Sequence, residues 1–444
     1  MTAIGLAVIG AVWDTGLSIA VIASIPLVVA SVALCSALDR DQRLGLVDLL
    51  LIALMLRWVV SAGVQLLLYR ERPGFFGPDE GGYHLWAQDL ARQLAGHPSM
   101  PDEPTLGARG LLWTAAASYH LLGVHLLVPK FLNCLLGAWT AVLTALLAGF
   151  VFRSPAVARR AGLLAAVFPS LVLWSGLLLK DVWTLFGAQL VLLGFMHLRE
   201  RFRVPALAAL LLGLFLIGIN RPYEVMFVSL SLLASFAFGA TRHVVRNLVL
   251  FALFSVIVMF AIERSGAMTQ ILGESGHTMM EQVAHFRRVY SEGPGTGSAV
   301  DVALVDTSTP LGLLTWLPLG LVFFFLAPIP FTGSSLSLTS SPEMIVWYFL
   351  LPSAFRGLRS LVRGPSKAFW PILLYVIIAT VGWATAITNV GAMYRYRSQV
   401  LFCPLMLIAA DQIRRRDERE KARVAAMALR ARAHKPALPE AGTT

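Results

Sequence analysis

The chain has 444 residues, of which 57% are hydrophobic and only 14% are charged, and its mean hydropathy is +0.72. These values exclude an ordinary soluble domain, because the apolar residues come in blocks about as long as a bilayer crossing. The net charge of +11 does not indicate a nucleic-acid partner, since the basic residues lie in short loops and in the C-terminal segment, as orientation signals would. Three cysteines lie inside apolar segments without metal-ligand spacing, so neither a disulfide nor a zinc site is predicted: Cys35, Cys134 and Cys403.

The apolar blocks predict an all-α fold, a polytopic helical membrane protein with about 11 transmembrane helices. The first block has no basic flank before it and no obvious cleavage site after it, so we interpret it as a retained helix and not as a signal peptide. The predicted spans are residues 15–36, 44–69, 130–152, 161–179, 182–198, 204–219, 223–240, 247–262, 343–357, 369–388 and 397–411.

Arginine-rich loops alternate along the chain with poorly basic connections, and this alternation predicts sidedness. The loops near 40–43, 153–160 and 199–203 each carry several arginines and are therefore placed in the cytoplasm. The connection 70–129 then lies outside the membrane. The basic tail after residue 411 is predicted to be helical and cytoplasmic, near anionic lipid.

The segment 311–331 does not fit this alternation as a full crossing, because the basic run that follows it would then lie outside. Pro318, Pro328 and Pro330 are expected to break the helix. We therefore predict a re-entrant or interfacial element here.

These features divide the chain into five parts. They are an extra N-terminal transmembrane helix (1–43), a first transmembrane module (44–262) with the outer loop 70–129, a second outer loop that could act as a lid (263–310), a C-terminal transmembrane module (311–411) and a basic tail (412–444).

The first outer loop holds the strongest candidate for chemistry. From Tyr83 to Leu94 the apolar and small residues recur at helical spacing, which predicts an amphipathic helix lying in the membrane interface. Asp79 and Glu80 stand at its start, where the helix dipole favours an ionised carboxylate. Such an acid could take a proton from a substrate hydroxyl; alternatively, Asp79 caps the helix and Glu80 merely occupies its first turn. The residues alone leave both interpretations open.

Most basic residues of the chain lie in the loops predicted to be cytoplasmic. Four basic side chains lie instead at the predicted outer ends of spans: Lys180, Arg221, Arg395 and Arg397. A lipid phosphate or diphosphate at the outer face would explain them, since Arg offers a planar fork for phosphate oxygens and Lys a point charge. The alternative is that Lys180 pairs with Asp181 while the arginines reach to lipid headgroups. A further arginine, Arg57, lies midway along a span, which predicts a buried ion pair or a hydrated cavity.

The histidines and the second acid pair of the first outer loop give no metal signature. Asp102 and Glu103 stand between prolines; a solvated turn is the favoured interpretation, although they could bind a metal or contact an acceptor. His84, His97 and His120 lack the spacing of paired ligands, so no metal is assigned. The sequence has no Gly-rich nucleotide loop and no nucleophile elbow, which disfavours nucleotide-driven chemistry.

The stretches DEGGYHLWAQDLARQLAG (79–96) and VPKFLNCLLGAWTAVLTALLA (128–148), followed late in the chain by Tyr394-Arg395-Tyr396-Arg397, resemble the C-type membrane glycosyltransferases. Within that family the pattern is similar to the protein-mannosyltransferase-like branch, which includes the aminoarabinose transferase of lipid A. The segment WLPLGLVFFFLAPIPF is similar to one in members from exopolysaccharide clusters. The likeness covers 44–152 well and is recognisable near 170–223 and 296–411. One departure is LGARGLLW, which stands where many members have a His-Pro-Pro run.

The resemblance implies that Asp79 is the catalytic base for the acceptor, with Glu80 as the second candidate, and that the late arginine turn contacts the donor phosphate. We therefore predict an inverting glycosyltransferase that moves a sugar from a polyprenyl phosphate to a hydroxyl of a lipid-linked glycan, a lipid or a protein. The predicted donor-phosphate contacts are Arg395, Arg397, Lys180 and Arg221, and the predicted substrate contacts are Tyr83, His84, Asp181, Tyr223 and Tyr394.

The resemblance further implies the outer face of a bacterial inner or plasma membrane as the place of reaction. It implies no nucleotide; some members use a divalent ion such as Mg²⁺ or Mn²⁺ and others use none. Membrane lipids are the expected surroundings, and no partner protein is indicated. Two alternatives remain: a glycan polymerase or ligase with a diphosphate-linked donor, and a flippase or transporter of lipid-linked sugars. A transporter predicts paired repeats with broken helices, and the sequence shows no such repeat.

Overall fold

The computed structural model describes residues 14–41, 43–68, 75, 77–97, 107–238, 309–332, 335–364 and 368–433, with four isolated positions at 252, 256, 260 and 287. Over these ranges the chain is helical and contains no strand. The helices are α1 Thr15–Leu38, α2 Leu46–Gly63, α3 Pro78–Leu94, α4 Arg109–Leu122, α5 Leu127–Phe152, α6 Pro155–Val167, α7 Pro169–Ser175, α8 Asp181–Glu200, α9 Val204–Asn220, α10 Pro222–Phe238, α11 Pro310–Leu326, α12 Ser335–Arg363, α13 Trp370–Ala386, α14 Val390–Arg397 and α15 Phe402–Ala433.

Four of these helices are long and apolar enough to cross a membrane: α1, α2 with its π-helical continuation Val64–Leu68, α5 and α8. The bent pair α6–α7 would add a fifth, and α9, α10, α11 and α13 are apolar but shorter. The chain is therefore an integral membrane protein by the length and composition of its helices. The predicted count of about 11 spans is not confirmed. The predicted span 247–262, the predicted outer loop 263–310 and the acid pair at 102–103 lie almost wholly outside the described residues.

The predicted single span 161–179 is instead two helices. α6 ends at Val167 and α7 begins at Pro169, and their axes differ by 58°. Proline has no N–H, so Pro169 cannot donate to the carbonyl of Ala165 as a helical residue would, and its ring disfavours a continuous helix. The sequence pattern of apolar residues continues through this break, which is why it predicted one helix.

Arg57 satisfies the backbone carbonyls that the break leaves free. Its Nη1 donates to Ala53 O at 3.0 Å and to Ala166 O at 2.9 Å, and its Nη2 donates to Ala165 O at 3.3 Å. Its Nε donates to Ser175 Oγ at 2.9 Å. Arg57 is fully buried, and within the described part of the chain no ion pair joins it to an acid. In place of the ion pair, one of the two predicted alternatives, the guanidinium caps a broken helix end, where unsatisfied carbonyls would cost free energy.

The hairpin of α8 and α9 brings two distant residues to one end of the bundle. The two helices run antiparallel through the short connection 201–203. They approach closely where Gly213 meets Gly187, since a Cβ on Gly213 would lie 2.5 Å from the Gly187 carbonyl oxygen. As a result Asp181, the first residue of α8, lies beside Arg221, which follows α9.

The helix α11 corrects one part of the interpretation of 311–331, the expected break at Pro318, while the re-entrant or interfacial placement stays a prediction. It runs without a break through Pro318 and ends at Leu326, before the cis peptide between Ala327 and Pro328. The expectation that Pro318 interrupts the segment is therefore wrong. Packing on α13 holds the helix near this proline, since Trp316 Nε1 donates to Ala384 O at 2.8 Å.

The predicted amphipathic helix of the first outer loop is present as α3. It begins at Pro78, so Asp79 and Glu80 lie in its first turn, and Tyr83, Ala87 and Leu90 are buried. A second helix, α4, follows it and packs against it. The helical tail is also confirmed, and it continues without a break from the last predicted span within the single helix α15.

Replacing Arg57 with Met should lower the free energy of unfolding by about 2 kcal/mol or more, because buried carbonyls lose their donors. Thermal unfolding in detergent, followed by tryptophan fluorescence, would measure the loss. Arg359→Met removes an exposed arginine of α12 and serves as the control. Equal unfolding midpoints for the two variants would contradict this role of Arg57.

Candidate active site

Asp181 is the shared partner of two predicted phosphate-binding residues. Its Oδ1 accepts a bond from Arg221 Nη2 at 2.6 Å and one from Gln399 Nε2 at 3.3 Å. Its Oδ2 accepts two bonds from Arg395, from Nε at 2.8 Å and from Nη2 at 2.5 Å. The Asp181 side chain is only 2% exposed. A buried carboxylate is stable only when it is paired and hydrogen-bonded, and here both oxygens accept donors.

Arg395 extends from this buried partner to the acid at the start of α3. Its Nη1 donates to Asp79 Oδ2 at 2.6 Å. The Asp79 side chain is 53% exposed and that of Arg395 is 14% exposed. The pair therefore lies at the solvent edge of a charged cluster that consists of Asp79, Asp181, Arg221, Glu224 and Arg395. The N-cap residue of α3 is Gly77, and no side-chain bond caps the helix. Asp79 is therefore held by Arg395 and does not act as the helix cap.

Arg221 is enclosed by a second acid and by an aromatic ring. Besides Asp181, it donates from Nη1 to Glu224 Oε1 at 2.9 Å, and its guanidinium lies 4.3 Å from the centroid of the Tyr396 ring. The hydroxyl groups of Tyr396 and Tyr223 are 3.4 Å apart. Arg221 is thus fixed on three sides by groups that favour a cation.

Glu80, adjacent to Asp79, has a different environment. Its Oε1 lies 2.8 Å from Lys130 Nζ and accepts a bond from the backbone N–H of Leu178 at 3.0 Å. Lys130 also donates to Gln65 Oε1 at 2.7 Å, and both charged side chains are 1–2% exposed. Glu80 therefore fastens the start of α3 to α5 and to the turn before α8.

Lys180 lies in the same region but does not form the pair with Asp181 that the sequence allowed. Its Nζ donates to the carbonyl oxygen of Gly107, at the start of the described chain before α4. Burial, followed by the charges of Arg221 and Arg395, lowers the pKa of Lys180 to about 7, although the nearby acids oppose this shift. Its charge therefore changes near neutral pH.

Two predicted substrate contacts lie on α3, the half-buried His84 and the buried Tyr83. His84 Nδ1 lies 2.8 Å from the Tyr119 hydroxyl, and His84 Nε2 lies 2.6 Å from Gln88 Nε2. Burial, followed by the charge of Lys130, lowers the pKa of His84, which favours a neutral ring. Tyr83 is buried, and burial raises the pKa of its hydroxyl.

Arg397 and Tyr394 are not brought into this cluster. Arg397 Nη1 donates to the carbonyls of Phe325 and Ala327 at 3.0 and 3.1 Å, at the C-terminal end of α11. Tyr394 donates to Glu343 Oε2 at 2.7 Å. Residues two apart on a helix point about 200° from each other, so α14 can direct Arg395 to Asp181 only if Arg397 points elsewhere. The role predicted for Arg397 as a phosphate contact remains a prediction.

Four residues of this region carried no assigned role in the sequence: Lys130, Glu224, Gln399 and Glu343. Lys130 and Glu224 had a usable signal, because a charge within an apolar helix needs a partner. Glu224 also follows Arg221 at the i, i+3 spacing that lets side chains meet on a helix. Gln399 had no comparable signal.

The carboxylates of the cluster are not arranged as metal ligands. Among the described residues no group of three or more His, Cys, Asp or Glu could hold a metal ion. Both oxygens of Asp181 are already neutralised by guanidinium groups, which does not fit a divalent cation. No step of the proposed chemistry is therefore assigned to a metal.

No family model matches the chain, and no curated protein matches it. Among solved structures it is similar to the archaeal oligosaccharyltransferase AglB from Archaeoglobus fulgidus, solved in complex with an inhibitory peptide and a dolichol-phosphate. The TM-score is 0.48 and the identity 14%, over 86% of this chain and 52% of that one. The chain thus spans about half the length of that protein. A likeness at this level carries no argument about activity.

The two aspartates should differ in their effect on stability. Asp181→Asn should cost about 3–5 kcal/mol, because it leaves the buried Arg221 and the mostly buried Arg395 without their shared counter-charge. Asp79→Asn should cost at most about 1 kcal/mol, because it removes a half-exposed ion pair. Thermal unfolding of both variants in one detergent would test the difference. The cluster as described would be wrong if Asp79→Asn were the more destabilising change.

Proposed function

We propose that this protein is a membrane glycosyltransferase that moves a sugar from a polyprenyl-phosphate donor to the hydroxyl of a lipid-linked glycan, a lipid or a protein. The observation that carries the proposal is the contact of a half-exposed carboxylate, Asp79, with Arg395, whose other bonds go to the buried Asp181. A base candidate and cations suited to a phosphate thus lie in one place. The motif resemblance independently supports the same chemistry.

The reaction would be a single displacement at the anomeric carbon. The acceptor oxygen forms a bond to that carbon while the bond from the carbon to the donor's phosphate oxygen breaks. The hydroxyl proton passes to the Asp79 carboxylate, and the electron pair of the broken bond leaves with the polyprenyl phosphate. One displacement inverts the configuration of the anomeric centre.

The cations would act on the leaving group. The donor phosphate carries one negative charge as a diester and gains charge as it departs as a monoester. Arg395, Arg221 and a protonated Lys180 would therefore bind the departing group more strongly than the substrate, which is the condition for lowering a barrier. Arg395 and Arg221 are already oriented by Asp181, so little reorganisation is needed.

We further propose that this site lies at the outer membrane face and that the C-terminus lies in the cytoplasm. α8 has Asp181 at its first residue and ends at Glu200, whose carboxylate pairs with Arg153 at 3.2 Å. A helix of 20 residues spans about 30 Å, close to the thickness of the hydrocarbon core. The site and the arginine-rich loops therefore lie at opposite ends, and arginine-rich loops favour the cytoplasm.

Asp79→Asn should lower sugar transfer by at least about 100-fold, the usual contribution of a general base. The assay would offer radiolabelled polyprenyl-phosphate sugars and a membrane lipid extract to purified protein. Asp89→Asn removes an acid that pairs with Arg92 farther along the same helix and should retain activity. Wild-type turnover by Asp79→Asn would refute the assignment, and label that crosses the bilayer without transfer would favour a transporter.

Transfer should also depend on the charge of Lys180. The ammonium form is present below its pKa of about 7, so the rate should fall as the pH rises through that value. Lys180→Arg keeps the charge and should remove the fall while retaining the rate. Lys180→Met should be slower below pH 7 and lack this step. An unchanged fall in Lys180→Met would assign the titration to another group.

A further inference from the structure

Arg395 bonds two carboxylates that differ in how firmly they are held. Asp181 accepts both Nε and Nη2 of the guanidinium, whereas Asp79 accepts only Nη1. Asp181 is 2% exposed and has further donors on its other oxygen, whereas Asp79 is 53% exposed. Asp181 is therefore the fixed partner of Arg395, and Asp79 is the partner that another anion could replace.

From this asymmetry we propose that the Asp79–Arg395 ion pair is a latch that the donor phosphate opens. The inference rests on the proposed function and specifies how its site is regulated. An anionic oxygen of the lipid phosphate takes the place of Asp79 on Arg395 Nη1, while the two bonds to Asp181 keep the guanidinium in position. Donor binding thereby releases the carboxylate that accepts the acceptor's proton.

The exchange is energetically accessible because the bond that breaks is a weak one. Ion pairs near solvent contribute little, and here water screens the half-exposed Asp79 carboxylate. A phosphate oxygen offers Arg395 an equivalent charge-assisted hydrogen bond. The lipid phosphate therefore needs to displace only one contact of Arg395, not to rebuild the cluster.

The latch couples the two substrates. While Asp79 is paired with Arg395, its Oδ2 is occupied by that contact. Once the phosphate occupies Nη1, that carboxylate oxygen is free to accept a hydrogen bond from an acceptor hydroxyl. The neighbouring Glu80 remains fastened to Lys130 and to the Leu178 N–H, so Asp79 is released without moving the start of α3. Deprotonation is thus delayed until the donor is in place.

The proposal predicts a gain in affinity from the loss of an acid. Asp79→Asn should bind farnesyl phosphate, a short soluble polyprenyl phosphate, about two- to five-fold more tightly than the wild type, the ratio that corresponds to one exposed ion pair. Titration calorimetry with protein in detergent would measure the ratio. Asp79→Glu keeps the charge and should show no such gain, which separates the latch from loosening of the loop by any substitution.

Two further variants distinguish competition for Arg395 from general repulsion by Asp79. Asp89→Asn removes an equal charge about 15 Å along the same helix, beyond the screening length at physiological salt, and should leave the affinity unchanged. In an Arg395→Gln background, Asp79→Asn should bring no gain, because there is no longer a shared partner to release. A gain that persists there would overturn the latch while leaving a lipid-phosphate site intact.

The remaining outcomes also decide the matter. If wild type and Asp79→Asn bind farnesyl phosphate equally, the latch is wrong and the proposed function is unaffected. If neither binds it more tightly than farnesol, the proposed function fails and the latch fails with it.

Discussion

The burial of one carboxylate, that of Asp181, determines how this end of the protein is arranged. A buried ionised group costs several kcal/mol unless opposite charges and hydrogen bonds surround it, so Asp181 requires Arg221 and Arg395 as partners. Those two arginines come from the turn after α9 and from α14. The α8–α9 hairpin, kept close by facing glycines, already places Arg221 nearby. The orientation of α14 then follows, because Arg395 must face Asp181 and Arg397 must face away, toward the end of α11.

Acids at three helix starts converge on the two arginines. Asp79, Asp181 and Glu224 lie in the first turns of α3, α8 and α10, where the helix dipole favours negative charge. The same dipoles would favour a phosphate. The net charge of the cluster is therefore close to zero, and the cluster does not carry an excess of positive charge. An anion can be admitted only if an acid gives up its contact, and Asp79 is the acid with the greatest exposure.

The sequence predicted this region in part, and the limits have physical causes. Local pattern was sufficient to place Asp79 and Glu80 at a helix start, and the exceptions to the inside preference of basic residues drew attention to Lys180, Arg221 and Arg395. The local sequence pattern could not distinguish the roles of Asp79 and Glu80, because the role of Glu80 depends on its contacts with Lys130 and Leu178, which lie far along the chain. The break at Pro169 was overlooked for a similar reason: an arginine from α2 makes that break tolerable within an apolar run.

The contrast between Glu80 and Asp79 explains how one short motif can be both rigid and responsive. A catalytic base must stay within hydrogen-bond reach of its substrate, which requires a fixed backbone, yet its carboxylate must be able to change partners. Glu80 supplies the fixed point through a buried pair that solvent cannot screen. Asp79 lies one residue earlier, so its backbone is held in the same position while its side chain remains half exposed. Exchange at Asp79 then requires only side-chain rotation, and the helix and the buried cluster stay in place.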